Sequence, residues 1–218
     1  MPRKRRWLRT DEYADVESSL KKAAATAALV DSDASEWKWL LVSVHAATQG
    51  MFVVSLAFGN GLLALKATHA SAWCKAYQSG APYPARLDLD YFLALYQKAK
   101  ELLFSGKLAD SRFSATAEHD AAIKKLNELR NGFVHFAPQG WSIELAGLPT
   151  VCLRCLELVE HLGWQSHVVA WRSLAQSKRT HRSLRRLRRR LCLLDREYRA
   201  ALVTKRSSYS TSTRQPPA

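Results

Sequence analysis

The sequence predicts an all-α protein that ends in a basic amphipathic helix. Most of its 218 residues fall into long stretches in which apolar side chains recur every three or four positions, the spacing of one face of an α-helix. Only 9 glycines and 7 prolines interrupt these stretches. The composition, 47% hydrophobic and 24% charged, is that of a globular protein and excludes a disordered or fibrous one.

The first two predicted helices cover residues 11–30 and 35–58. In the first, DEYADVESSLKKAAATAALV, acidic residues come early and lysines later, as the helix dipole favours. The second, SEWKWLLVSVHAATQGMFVVSLAF, is apolar on almost every side, which predicts a buried helix. A membrane span is the alternative for this stretch. Ser43, His45 and Gln49 interrupt it, however, so that it lacks the run of about 18 apolar residues that a span needs, and no membrane association is expected.

Three more helices and one strand are predicted in the middle of the chain. Helical periodicity continues over residues 62–78, and another amphipathic stretch covers residues 89–105, with Asp88 or Asp90 as its N-cap. The next helix is AAIKKLNELRNGFVHF, residues 121–136. A Pro-Gly turn and a short strand, GWSIEL, are expected after it.

The helix PTVCLRCLELVEHL, which Pro149 opens, contains the pair Cys152 and Cys155. Because the pair lies in an apolar run and lacks a second pair of ligands, core packing is favoured over zinc binding or redox chemistry. We therefore expect no metal and no other cofactor. The four cysteines are too few and too scattered for a disulfide framework, and no secretory segment follows the N-terminus, so a cytoplasmic location is expected.

The net charge of +14 is concentrated at the two ends of the chain. The N-terminal segment 1–9 carries five basic side chains and no acidic one, and residues 172–206 carry thirteen basic against two acidic side chains. The body, residues 10–171, is nearly neutral, and the polar tail 207–218 is expected to be disordered. Such a distribution indicates a polyanionic partner, and RNA is the expected one.

The last predicted helix, SLRRLRRRLCLLDREYRAAL, combines a leucine stripe with dense arginines. Its leucines could pack on the body, on a partner helix or on nucleic acid, and the sequence leaves these alternatives open. Its arginines are either the solvated face of a docked helix or a contact site for the RNA backbone. The candidate RNA-binding residues are Arg182, Arg185, Arg186, Arg188, Arg189 and Arg190.

The stretch LNELRNGFVHF places three polar side chains among apolar ones. On a straight helix Asn131 and His135 form an i, i+4 pair opposite the apolar stripe, and Arg130 lies on the shoulder of that stripe. Gly132 weakens the helix by about 1 kcal/mol relative to alanine and could allow a bend that brings Arg130 closer. Periodicity alone favours the polar face of an ordinary core helix over a functional site.

The string Arg-Asn-x-x-x-His, residues 130–135, resembles the R-x4-6-H signature of the HEPN (higher eukaryotes and prokaryotes nucleotide-binding) superfamily. It lies on the penultimate helix of an all-α body, and WKWLLVSVHAATQ and FAPQGW look like an uncharacterised bacterial branch of that superfamily. The resemblance covers roughly residues 10–165. It implies an up-down helical bundle that forms a homodimer in which two motifs face each other across a cleft.

Many members of that superfamily are metal-independent ribonucleases, which implies a hydrolase that attacks RNA as a toxin or a defence effector, with a protein antitoxin as partner. His135 would then act as general acid and base, and Arg130 would stabilise the charged phosphate. Asn131 would position either group. His45 is interpreted as a hydrogen-bonded core histidine or as a polar contributor to the same cleft.

The alternative is a non-catalytic RNA-binding or assembly module on the same fold. The requirement for His135 discriminates between the two functions. An enzyme needs that proton-transfer group, whereas a binding module mostly needs its arginines.

Overall fold

The computed structural model describes residues 7–57, 59–109, 111–135, 138 and 140–212, and only the backbone of residues 203–212. Over this part of the chain the protein is all-α, with seven α-helices and no β-strand. These are α1 (Glu12–Thr26), α2 (Glu36–Leu56), α3 (Ala67–Ser79), α4 (Phe92–Ala99), α5 (Ala117–Val134), α6 (Leu148–Glu160) and α7 (Leu174–Ser212). Two of them continue as π-helical turns, α4 over Lys100–Phe104 and α6 over His161–Gln165.

Every helix predicted from periodicity is present, but the predicted strand at residues 140–145 is wrong. Trp141 is 41% exposed, whereas Ile143 and Leu145 pack against the core. They do so as an extended loop laid on the bundle, without a neighbouring strand in the described part. The predicted caps of α4 are also wrong, because Tyr91 is its N-cap and Asp90 instead accepts a hydrogen bond from the Tyr91 N–H (2.9 Å).

The central helix is α2, which packs against α1, α4, α5 and α6. By length and composition it is the one helix in the described part that could cross a membrane, but 67% of its most apolar window is buried inside the protein. The crossing with α1 is close at Gly50, where a Cβ atom would lie 2.8 Å from Val16 Cγ2. A glycine at this position therefore lets the two helix backbones approach each other.

The leucine stripe of α7 packs on the body of the protein, which decides among the three alternatives that the sequence left open. α7 lies against α1 and α6. The four leucines of the stripe are completely buried: Leu184, Leu187, Leu191 and Leu194. Residues 172–206 thus share one core with residues 10–171. The tail 207–218 is expected from the sequence to be disordered, but α7 continues through its first residues to Ser212. Residues 213–218, like residues 1–6, lie outside the described part.

Residues 65–89 form an excursion from the bundle that carries α3. The excursion is closed at its base by an isolated bridge between Leu65 and Leu89, next to a hydrogen bond from the Asp90 N–H to the Ala64 carbonyl (3.0 Å). Of the thirteen residues of α3, all of them described, Ala76 alone is buried. The closed base places Leu89 and the residues that follow it beside α2 and α5.

The cysteines of α6 lie in the core, in agreement with a packing role. Cys152 and Cys155 are both fully buried. Burial raises the pKa of the Cys152 thiol to about 12 and that of Cys155 well above its ordinary value. Both groups are therefore protonated and unreactive at neutral pH.

Candidate functional site around Arg130

The helix that carries the motif is anchored at its first turn. Thr116 caps α5, and its N–H donates to His119 Nδ1 (3.1 Å) in a reciprocal capping box. The other ring nitrogen of His119 lies 2.9 Å from Glu157 Oε2 on α6. These contacts fix the axis of α5 against α6 and so determine where its last turn presents the motif.

Arg130 lies between two grooves on the surface formed by α2 and α5. Its Nη1 donates a hydrogen bond to Asn131 Oδ1 (2.7 Å), and its side chain is half-buried. The first groove, of about 380 Å³, is bordered by α1, and the second, of about 340 Å³, by the start of α4. Both grooves share four lining residues: His45, Gln49, Leu89 and Arg130.

His45 is buried and lines both grooves, while its contribution to any chemistry there stays a prediction. Only 3% of it is exposed, its ring stacks on Phe92 with centroids 4.0 Å apart, and Nε2 lies 3.4 Å from Asn127 Oδ1. Burial, and then the positive charge of Arg130, lower the pKa of His45 to about 4, although the contact with Asn127 acts in the opposite direction. His45 is therefore neutral at pH 7 and suited to hydrogen bonding rather than to proton transfer.

The low pKa of His45 predicts a loss of stability in mild acid. In the unfolded chain the ring takes up a proton below about pH 6.5, whereas in the folded protein it does so only near pH 4. The unfolded state thus binds more protons between these values, and stability falls as the pH decreases. Between pH 7 and pH 5 we expect His45 to remove about 2 kcal/mol of unfolding free energy, measured by urea denaturation.

A His45→Gln variant is the control, because it keeps a hydrogen-bonding group but cannot titrate in this range. It retains the other buried histidines, so the difference between the two proteins isolates His45. Equal acid sensitivity of variant and parent would contradict the assignment.

His135 lies just beyond the end of α5 rather than on its last turn. It is the C-cap residue, with φ −110° and ψ 49°, and its N–H still donates to the Asn131 carbonyl (2.9 Å). Its side chain is exposed and lines neither groove. The predicted helix, residues 121–136, is therefore too long at its end, whereas the predicted accessibility of His135 is confirmed. The helix ends at Val134, and Pro138 follows soon after, as is common beyond helix C-termini.

Gly132 allows close packing on the motif helix and not a bend. A Cβ atom at this position would lie 2.7 Å from Trp141 Cη2. The Trp141 ring also contacts Phe133, with centroids 4.8 Å apart. The loop after α5 therefore folds back over the motif. Gly132 leaves room for the Trp141 ring, a role that its low helix propensity did not indicate.

The structure adds residues to the site that the sequence analysis did not identify. Glu12 and Asp15 of α1 line the first groove together with Arg130. Partial desolvation raises the pKa of Asp15, and Glu12 lies 3.8 Å from Arg172 Nη2. No local pattern marks these residues. Their position depends on the close crossing of α1 and α2, and Gly50 is the one feature of the sequence that indicates such a crossing.

The candidate RNA-binding arginines of α7 fall into different environments. A groove of about 960 Å³ between α7 and Glu160 is lined by four of them, Arg182, Arg185, Arg188 and Arg189, and also by two basic residues that were not predicted, Lys178 and Arg196. Arg188 forms an ion pair with Glu160. Arg190 pairs with Asp31 and donates to the Ala27 carbonyl (3.2 Å), while Arg186 is exposed and lines no groove described. The basic groove thus shares no lining residue with the two Arg130 grooves.

Comparison with known proteins identifies no relative: no family model, no curated protein and no solved structure matches the chain. Among the described residues, no three or more His, Cys, Asp or Glu side chains are grouped so as to hold a metal ion. The chemistry of the site is therefore inferred from Arg130 and its neighbours.

Proposed function

We propose that the protein is a metal-independent endoribonuclease of HEPN type in which Arg130, Asn131 and His135 carry the reaction. One observation carries the proposal. Arg130 is half-buried between two grooves, forms no ion pair with the described residues, and is held by Asn131. A desolvated guanidinium without a counter-ion is costly, so its charge is available to an anionic ligand.

Phosphate is the anion that this arrangement fits best. The planar guanidinium offers parallel N–H groups that match two phosphate oxygens, and Asn131 Oδ1 restrains its orientation. The grooves on either side of Arg130 provide space for an RNA strand to enter and leave the site. Apolar side chains also line both grooves, and they suit the bases and sugars of a polynucleotide better than a free phosphate ion.

RNA can supply its own nucleophile, so the reaction needs only proton transfer and charge stabilisation. The 2′-oxygen attacks the adjacent phosphorus, the bond from phosphorus to the 5′-oxygen breaks, and a 2′,3′-cyclic phosphate and a 5′-hydroxyl result. A base removes the 2′-hydroxyl proton, an acid protonates the 5′-oxygen, and Arg130 stabilises the charge that develops on phosphorus. The exposed ring of His135, one turn beyond Arg130, is the candidate for proton transfer.

A homodimer is part of this proposal, because a second motif would supply the second proton-transfer group. Exposed apolar side chains beside the grooves support an interface there. Val134 is 52% exposed, and Tyr91 is 72% exposed. As the HEPN resemblance implies, the enzyme acts as a toxin or defence effector with a protein antitoxin as partner. The scattered cysteines favour a cytoplasmic location.

Replacing His135 by alanine is expected to abolish RNA cleavage without affecting folding. The side chain is exposed, so its removal leaves no cavity in the core. The test is the incubation of purified parent and variant with end-labelled RNA in EDTA, where the parent should cleave and the variant should not. His167→Asn is the matched control. His167 is also exposed, and its φ of 56° suits asparagine.

Equal turnover by the parent and by His135→Ala would overturn the catalytic assignment. Absence of cleavage by every protein, with RNA binding retained, would favour the non-catalytic RNA-binding or assembly module instead.

A further inference from the structure

The outward face of α7 carries a stripe of cations that have no acidic partner among the described residues. We call this set the basic stripe: Lys178, Arg182, Arg185, Arg189 and Arg196. None of its members forms an ion pair with the described residues. Other arginines of the same helix do, since Arg179 lies 2.7 Å from Glu17 and Arg199 lies 2.8 Å from Asp195.

The basic stripe is straight and faces away from the core. At 100° per residue its five members fall within about 60° of one another, on the side of the helix opposite the buried leucines. From Lys178 to Arg196 the stripe spans about 27 Å at 1.5 Å per residue. Because the leucines bind α7 to α1 and α6, the stripe is held in a fixed position on the surface.

Like charges at this spacing repel one another along the helix. Acidic side chains of α1 and α6 neutralise the flanking arginines, but none of the described residues does so for the stripe. An external polyanion is therefore the expected counter-ion. Four of the five members are arginines, whose planar fork matches phosphate oxygens better than a lysine ammonium does.

A nucleic acid fits this surface better than an anionic membrane. A helix that inserts into a membrane needs a free apolar face, and the apolar face of α7 is buried in the core. Of the three stacked rings His181, Trp164 and Trp171, only His181 lines the groove, and it stacks on Trp164 at 4.5 Å between centroids. A positively charged groove that follows the backbone is common in proteins that bind single strands without sequence preference.

We infer that the basic stripe is a docking site for the phosphate backbone of single-stranded RNA, separate from the Arg130 cleft. The stripe lies on α7 beside α6, whereas the cleft is formed by α1, α2, α4 and α5. The inference rests on the proposed function for the identity of the ligand as RNA. It implies that affinity and cleavage are supplied by different surfaces of the same chain.

The test is the salt dependence of RNA binding by the full chain. The probe is a fluorescent single-stranded RNA with methylated 2′-oxygens, which cannot undergo the proposed cleavage. If each of the five cations contacts one phosphate, a plot of log affinity against log salt concentration is expected to have a slope of about −3.5. A triple variant, Arg182→Gln, Arg185→Gln and Arg189→Gln, should make this slope less steep by about 2.

The matched control removes the same number of charges from arginines that have acidic partners: Arg172→Gln, Arg179→Gln and Arg199→Gln. It should keep the slope of the parent. Equal slopes for the triple variant and the parent, or equal losses in both triple variants, would overturn the inference. If the stripe variant fails to fold, Arg185→Gln alone should reduce the slope by about 0.7.

The two proposals fail in distinguishable ways. Cleavage of ordinary RNA with an unaltered salt slope in the stripe variant would exclude the docking site but leave the nuclease. A slope that depends on the stripe, without any cleavage, would exclude the nuclease but leave the docking site. Binding of anionic phospholipid vesicles in place of RNA would overturn the choice of ligand.

Discussion

A chain that ends at Ser173 is expected to be unfolded, because α7 supplies part of the only core in the described residues. The truncation removes four completely buried leucines. Burying one leucine contributes about 1.5–3 kcal/mol, so the four contribute roughly 6–12 kcal/mol. The net stability of a domain is about 5–15 kcal/mol, and the loss is therefore comparable to the whole. Circular dichroism should show no cooperative thermal transition.

A chain that ends at Leu202 is the control, because it keeps every side chain of α7 that the structure describes. It should retain the transition of the full chain. Point variants give a graded form of the test. Leu187→Ala should cost about 2–5 kcal/mol, whereas Arg186→Ala on the exposed side should stay within about 0.5 kcal/mol. A cooperative, stable protein after truncation at Ser173 would show that α7 is an appendage.

Replacing Arg130 by alanine is expected to reduce RNA cleavage by about 100- to 1,000-fold, the usual effect of removing one preorganised charge donor. Arg130→Lys should recover little of this activity. A lysine ammonium restores the charge, but it cannot form the two parallel hydrogen bonds to phosphate. Initial cleavage rates with labelled RNA in EDTA measure both effects, and full rescue by lysine would reduce the role of Arg130 to that of a generic cation.

The pKa of His45 provides a second readout that does not depend on activity. The charge of Arg130 lowers this pKa, so the pKa should rise in Arg130→Ala. In Arg130→Lys the charge remains, and the pKa should stay low. Titration of the His45 ring by NMR therefore separates loss of charge from loss of guanidinium geometry. An unchanged pKa in the alanine variant would show that the two side chains are not electrostatically coupled.

Most of the helices could be predicted from the sequence because they bury a stripe or a full surface of apolar side chains, and α3 is the exception, since it buries Ala76 alone. The 3.6-residue period determines α2 and α7 in this way, down to the four leucines that are completely buried. The strand could not be excluded from the sequence. Trp141, Ile143 and Leu145 alternate with polar residues, and an extended loop can show this pattern as well as a strand. A strand also needs a neighbour, and local sequence carries no information about neighbours.

The motif itself could be located from the sequence, but the shape of its surroundings could not. Arg130 and Asn131 are adjacent in the chain, and the structure joins them by a hydrogen bond. The contribution of Asp15 to the first groove depends on how closely α1 approaches α2. The sequence also could not separate Arg190, which has acidic partners, from Arg189, which has none among the described residues. That distinction depends on Asp31 of a distant segment.

The bridge between Leu65 and Leu89 makes the segment between them modular. The chain leaves the bundle and returns to it at the same place. The segment between these two points therefore does not have to span any distance across the core, and its length is free to vary. The free energy of closing such a loop changes only slowly with its length. Insertions or deletions in this segment can therefore accumulate without disturbing the bundle. Leu89 closes the base, and it lines the Arg130 grooves with the residues after it, whereas no residue between 66 and 88 lines either groove. The excursion can therefore change while the border of the site and the motif helix stay in place.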